Sequence, residues 1–193
     1  MLHIAKSLLL IIVFSASLTA ANATKTTYAL SKDYQVSILG TSNLHDWDEK
    51  VKNVSGTTTV DWNTDGSFDL HGIDIKMEVK SIKSESSAMD KNTYKALKAD
   101  AYPFITVTLN KPITDIVGKA AGTTVTAKAN VTIAGVTKVM DMQIQIKIPA
   151  TGKLTFEGSQ RIKMSDFGLT APKALLGTLK TGNEITIQFK VGS

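Results

Sequence analysis

The segment Thr41 to Lys50, TSNLHDWDEK, gathers a histidine, a tryptophan and three carboxylates into ten residues. Several chemistries could use such a set. His45 with Asp46, Asp48 and a distant His71 or Asp74 would offer nitrogen and oxygen ligands to a metal ion. Asp46 and Asp48 could divide acid and base work as a carboxylate pair. A histidine beside a serine could activate a nucleophile. Each reading meets an obstacle. Beyond residue 23 only His45 and His71 remain, and neither H-x-H nor H-E-x-x-H spacing occurs. There is no G-x-S-x-G, and neither histidine has a serine partner marked by the sequence. Cysteine is absent, which removes thiolate nucleophiles and thiolate metal sites. The sequence therefore indicates no catalytic residue, no metal and no cofactor. The plainer reading is a corner of β-structure. His45 then sits at a strand end and bonds backbone groups of a neighbouring strand. Trp47 packs inward with its indole N–H satisfied at the rim.

The elements that must hold this corner show period-two alternation, the mark of strands with one buried face. In MDMQIQIKI, Met140, Met142, Ile144, Ile146 and Ile148 share one face against Asp141, Gln143, Gln145 and Lys147. EITIQFKV repeats the pattern with Ile185, Ile187, Phe189 and Val191, and TVTAKANVTI with Val125, Ala127, Ala129, Val131 and Ile133. Shorter runs are YQVSILGTS with Val36 and Ile38, ITVTL with Val107, and KLTFEG with Phe156. One strand changes phase: Phe68 and Leu70 have one parity, whereas Ile73, Ile75 and Met77 have the other. Gly72 lies at the switch, so a bulge is predicted there. Turns are predicted at Asp65-Gly66, Gly135, Gly152 and Gly182. The exception is SSAMDKNTYKALKADAYP, which predicts one helix over 87–99. Ser87 and Asp90 suggest a capping box, Met89, Thr93, Ala96 and Leu97 form one face, and Pro103 ends the segment. A second helical turn is predicted over Pro172 to Gly177.

Together these elements predict an all-β fold, an antiparallel barrel of about eight strands with one short helix capping an end. Barrels of that size can be filled by side chains or can hold one small ligand, and periodicity does not choose between them. Residues 1–23 have the order of a signal peptide: Lys6, an apolar run from Leu8 to Phe14, and Ala21-Asn22-Ala23 as a cleavage site. The expected mature chain is then a single domain over 24–193, periplasmic or secreted, with 21 basic and 17 acidic residues. The lysines are scattered among acids, which argues against a nucleic-acid partner and for a solvated surface.

Four segments resemble the YceI family of exported bacterial proteins: GTSNLHDWD (Gly40 to Asp48), VKSIKSESSAMDKNTYKALKADAYPFITVTL (Val79 to Leu109), VTIAGVTKVMDMQI (Val131 to Ile144) and MSDFGLTAPKALLGTLKTGNEITIQFKV (Met164 to Val191). The resemblance spans nearly all of the chain after residue 23, in the family's order. It implies a lipocalin-like barrel with a long apolar cavity that binds polyisoprenoids or related amphiphilic lipids. The chain departs from the commoner pattern at Asp46-Trp47 and at Ser165, where many members carry a less acidic stretch and an arginine.

The resulting expectation is a binding protein, not an enzyme, that holds an isoprenoid or other long-chain lipid. Its predicted cavity residues are Val36, Ile38, Trp47, Phe68, Leu70, Ile73, Ile75, Met77, Val107, Val125, Met140, Met142, Ile144, Ile146, Phe156, Phe167, Ile187 and Phe189. Ser86, Ser87 and Lys91, at the start of the helix, are candidates for the lipid headgroup, because helix N-termini favour anions. Peripheral contact with a membrane and a dimeric state both stay open. The alternatives are a packed barrel that binds a protein partner, and a metal-dependent hydrolase centred on His45.

Overall fold

The computed structural model describes residues 25–148, 153–174 and 178–192. The expected signal peptide and the turn at Gly152 lie outside the described residues. The alternating segments all become strands, joined into one antiparallel sheet. In chain order they are β1 (Thr26–Ala29), β2 (Gln35–Ser42), β3 (Trp47–Val51), β4 (Val54–Trp62), β5 (Ser67–Glu78), β6 (Ile82–Lys83), β7 (Phe104–Leu109), β8 (Ile113–Val117), β9 (Thr123–Ile133), β10 (Val136–Lys147), β11 (Thr155–Lys163), β12 (Lys173–Ala174) and β13 (Leu179–Gly192). The helix α1 (Ser87–Ala96) stands between β6 and β7.

Thirteen segments replace the expected count of about eight. The excess arises because long runs are broken by bends. β3 and β4 are separated by Lys52 and Asn53, and β5 and β6 by a short 3-10 turn, Val79–Ser81. These two runs lie side by side: β4 pairs with β5, and β3 pairs with β6. Lys52 N–H donates to the Ser81 carbonyl at 3.0 Å, and Glu78 N–H to the Asn53 carbonyl at 3.1 Å, which carries the ladder across both breaks. From there the order runs β5-β7-β9-β10-β11-β13-β2-β3. The sheet thus returns to the run it started from and curls into a barrel.

Three local details position the interior. The bulge is at His71, one residue from the predicted site: Thr59 faces Gly72 while Val60 faces Leu70, so His71 is the extra residue. The phase change in the sequence thereby becomes a kink in β5 that keeps both sets of apolar residues on the inner side. The β9–β10 hairpin turns through Ala134 and Gly135, both with positive φ (48° and 81°), the backbone that a two-residue hairpin demands. Gly182 makes no turn. It lies within β13, where the pairing with β2 shifts register between Thr181 and Ile185.

The helix begins at Ser87 as predicted, but its cap lies one residue earlier than the predicted capping box. Ser86 is the N-cap, and its Oγ accepts the Met89 N–H at 3.4 Å. Asp90 instead reaches back to Ser84, accepting the backbone N–H and the hydroxyl, each at 2.8 Å. The helix stops at Ala96, short of residue 99, because Lys98 takes a left-handed conformation (φ 53°) ahead of Pro103. The second predicted helical turn is corrected too. Lys173–Ala174 form β12 against β13, and residues 175–177 lie outside the described residues.

β4 and β5 approach so closely at Gly56 that a Cβ there would lie 2.2 Å from the Asp74 carbonyl oxygen. Backbone cannot swing aside as a side chain can. Gly56→Ala is therefore expected to lower unfolding stability by about 1–3 kcal/mol, measured by urea titration. Gly72→Ala, where the nearest atom would be 3.8 Å away, serves as the comparison with a smaller loss.

Candidate functional site: an apolar cavity

The inward residues do not fill the barrel. A cavity of about 430 Å³ lies at the end covered by α1. That size falls within the roughly 300–1,000 Å³ usual for small-molecule sites. Ala88, Met89, Asn92, Thr93, Ala96 and Leu97 line it from the helix side. Their spacing is that of one helical face, so the amphipathic pattern of the sequence becomes a lid over the hollow. Deeper in the barrel lies a second hollow of about 90 Å³. Val36, Met77, Val107, Met142 and Ile187 line both, so a shared apolar wall links the two. On β9 the inward residues of this deeper level are Ala127 and Ala129, too small to close it.

The predicted cavity residues divide by depth. Ile38, Trp47, Met140 and Phe167 line the larger hollow together with the shared residues. Ile73, Ile75, Ile144, Phe156 and Phe189 line the deeper one. Phe68, Leu70, Val125 and Ile146 line neither. Phe68 and Leu70 are completely buried and Ile146 nearly so, in the core beyond the deeper hollow. Val125 is half-buried and packs against that core. Parity identified these four as inward but could not show that bulky neighbours meet there and seal the barrel. Of the headgroup candidates, Ser86 lines the larger hollow, whereas Ser87 and Lys91 are exposed and line neither.

The corner from Thr41 to Trp47 folds at the cavity's rim. Ser42 Oγ–H donates to the His45 carbonyl at 2.8 Å, and the same oxygen accepts the N–H groups of Leu44 and His45. His45 Nδ1–H donates to the Asp46 carbonyl at 2.7 Å, its own chain neighbour and not the adjacent strand that was expected. Trp47 donates its indole N–H to the Thr41 carbonyl at 3.0 Å. Its ring lies flat over Gly40, where a Cβ would sit 2.1 Å from a ring carbon. His71 lies instead on β5 beside Asp61, 3.9 Å away, and among the described residues no three His, Cys, Asp or Glu side chains gather as metal ligands.

Sequence reasoning passed over Glu49. On β3 the side chains of Trp47, Glu49 and Val51 all turn inward, and Glu49 is only 2% exposed. It lines the larger hollow, and Thr93 of α1 donates its hydroxyl to Glu49 Oε1 at 2.6 Å. The signal was present: Glu49 shares parity with Trp47 and Val51, so if the indole faces in, the carboxyl must as well. Burial, above all, pushes the Glu49 carboxyl above its ordinary value. The Thr93 hydrogen bond pulls it back, and the negative charges of Asp90 and Asp48 push it further up. No lysine or arginine among the described residues lines either hollow.

The sequence profile of the YceI-like domain matches residues 20–192. The chain belongs to the YceI-like family. Solved structures agree on the fold. A crystal structure of BcnA from Burkholderia cenocepacia has 16% identity and a TM-score of 0.64, over 83% of this chain and 96% of that one. A polyisoprenoid binding domain from Saccharophagus degradans, implicated in plant cell wall breakdown, has 13% identity and a TM-score of 0.61, over 88% and 97%. The Campylobacter jejuni YCEI protein has 21% identity and a TM-score of 0.57, over 75% and 82%. No curated protein matches the chain.

In this YceI-like chain the buried acid has a consequence for stability. A carboxyl whose folded pKa lies above its unfolded one holds its proton more readily when folded. Its contribution is therefore fully present at low pH and is lost as pH rises from the ordinary 4.5 through the raised folded value. Glu49→Gln keeps an acceptor for Thr93 and has no charge to desolvate. It is expected to raise the urea midpoint relative to the unaltered chain near neutral pH. The advantage should shrink as pH is lowered towards 4.5.

Proposed function

We propose that the protein is an exported carrier that holds an isoprenoid or other long-chain amphiphilic lipid in the barrel, shielding its tail from water. The single observation that carries this reading is the linked pair of apolar hollows beneath a helical lid. An apolar space that water fills poorly will accept a hydrocarbon guest. Each buried methylene contributes ~0.8 kcal/mol, while association costs roughly 4–15 kcal/mol, so the tail must be long to bind well. The two-level hollow suits a thin, extended chain, and the adaptable side chains of Met77 and Met142 at the junction suit one that bends. A polyisoprenoid binding domain among the solved structures with this fold supports the same reading. The order of charge, apolar run and small residues in 1–23 supports export to the periplasm or beyond. The hollow weighs against a packed barrel that acts only through its surface. Burial and release of a tail require no bond to be made or broken, so the function is binding rather than catalysis.

Solvent extraction of gently purified protein, followed by mass spectrometry, is expected to return a long-chain amphiphile in near-stoichiometric amount. Protein that yields none, and that also fails to take up added polyprenol, would remove the reading. Release through the lid predicts a second result. Limited proteolysis within α1 should slow when polyprenol is added, and cleavage indifferent to the lipid would place the exit elsewhere.

A further inference from the structure

We propose that Glu49 makes the cavity selective for a guest whose head is a neutral hydrogen-bonding group, a hydroxyl or a carbonyl, over one whose head is an anion. The inference rests on the carrier reading above and specifies the chemistry of the guest's polar end. Glu49 is the one carboxyl in the wall of the larger hollow among the described residues, and Thr93 is its hydrogen-bond partner there. With Oε1 engaged by Thr93, Oε2 remains for a guest. A neutral head can share a hydrogen bond with this group in either direction, since a protonated acid donates and an ionised one accepts. Asn92 of α1 and Gln160 of β11, which also line the hollow, carry uncharged amides.

An anionic head meets the opposite conditions. It would bring a second negative group beside Glu49, in a field already made negative by Asp48 and Asp90. A buried charge is tolerated only when paired, and among the described residues no lysine or arginine lines the hollow. The lid's own lysines, Lys91 and Lys95, are exposed and line neither hollow. Lys83, beside the lid, is committed: its Nζ lies 3.3 Å from Asp90 and 2.6 Å from the Tyr94 hydroxyl. His45, the only basic side chain in the wall among the described residues, spends its Nδ1–H on the Asp46 carbonyl. Phosphate or carboxylate heads would thus lose water without gaining a cationic partner among the described residues of the wall.

The test uses two probes with one tail, farnesol and farnesyl phosphate, titrated into delipidated full-length protein and followed by calorimetry. The unaltered protein is expected to prefer the alcohol by about tenfold or more. In Glu49→Gln the preference should fall to about threefold or less, because the amide carries no charge. Thr93→Val removes the hydroxyl but leaves the carboxyl, and should retain the preference. Equal or tighter binding of the phosphate by the unaltered protein would overturn the inference while leaving the carrier reading standing. So would an undiminished preference in Glu49→Gln. If neither probe nor a longer polyprenol binds the unaltered protein, the carrier reading fails and this inference with it.

Discussion

The hydrogen-bonded ring fixes the width of the barrel before any side chain is placed inside it. Adjacent strands stand about 4.8 Å apart whatever residues they carry, so the number and tilt of the strands set the enclosed space. The inward residues then either fill that space or leave it open. At one end Phe68, Leu70 and Ile146 are bulky, all three are buried, and none lines either hollow. Along the middle, Ala127 and Ala129 occupy inward positions on β9 with little side chain, and a hollow remains. Towards α1 the wall residues are larger, but they line a wide mouth with only a helix across it. The shape of the cavity therefore follows from a gradient of side-chain volume along a tube of nearly constant width. The kink at His71 belongs to the same logic. It lets one strand supply the plug with its first half and the wall with its second.

The lid is held very differently at its edge and at its centre. Its edge is tied by polar contacts: Asp90 accepts from Ser84 and pairs with Lys83, and the Tyr94 hydroxyl lies within 2.8 Å of the Ile82 carbonyl and 2.9 Å of the Lys80 carbonyl. Burial pushes the Asp90 carboxyl up, but the Ser84 and Lys83 contacts outweigh it and hold the group below the ordinary carboxylate value. At the centre, α1 faces empty space, so its apolar face gains less packing than a helix seated on a filled core. The bond from Thr93 to Glu49 is the polar link between the lid's inner face and the wall. The proposed release route therefore runs beneath a helix that is anchored at its rim and lightly held over the hollow.

Much of this was legible in the sequence because alternation reports orientation directly. Met140, Met142, Ile187 and Phe189 were placed inward by parity alone, and the structure puts them there. The helix face of Met89, Thr93, Ala96 and Leu97 was equally plain, and all four line the larger hollow. Orientation says nothing about depth, however. Phe68 and Ile75 read alike in the sequence, yet one belongs to the plug and the other to the wall. That difference depends on which strands meet across the interior, information carried by long-range register. Lys91 shows the complementary limit. Its place near the helix start suggested a role, but the helix turns that position to solvent. Gly182 shows a third limit. Glycine marks a backbone that must approach something closely, and here the neighbour is Thr41 across the β2–β13 bulge, not the chain's own return.

Glu49 is where sequence logic and stability part company. An apolar side chain at an inward position of β3 would extend the wall and avoid the cost of desolvating a carboxyl. The chain instead keeps an acid there, with Thr93 as partner, no lysine or arginine in the wall among the described residues, and two further carboxylates close enough to raise its pKa. Folding is thus made less favourable near neutral pH at the polar contact between lid and wall. A structural role alone would be served as well by an amide, which could accept the same hydrogen bond without carrying charge. What the carboxyl adds is discrimination by charge at the polar end of the hollow, while the apolar walls below treat all tails of similar width alike. Depth and width set how long a guest can be, and a single acid beneath the helix sets which heads can follow the tail inside.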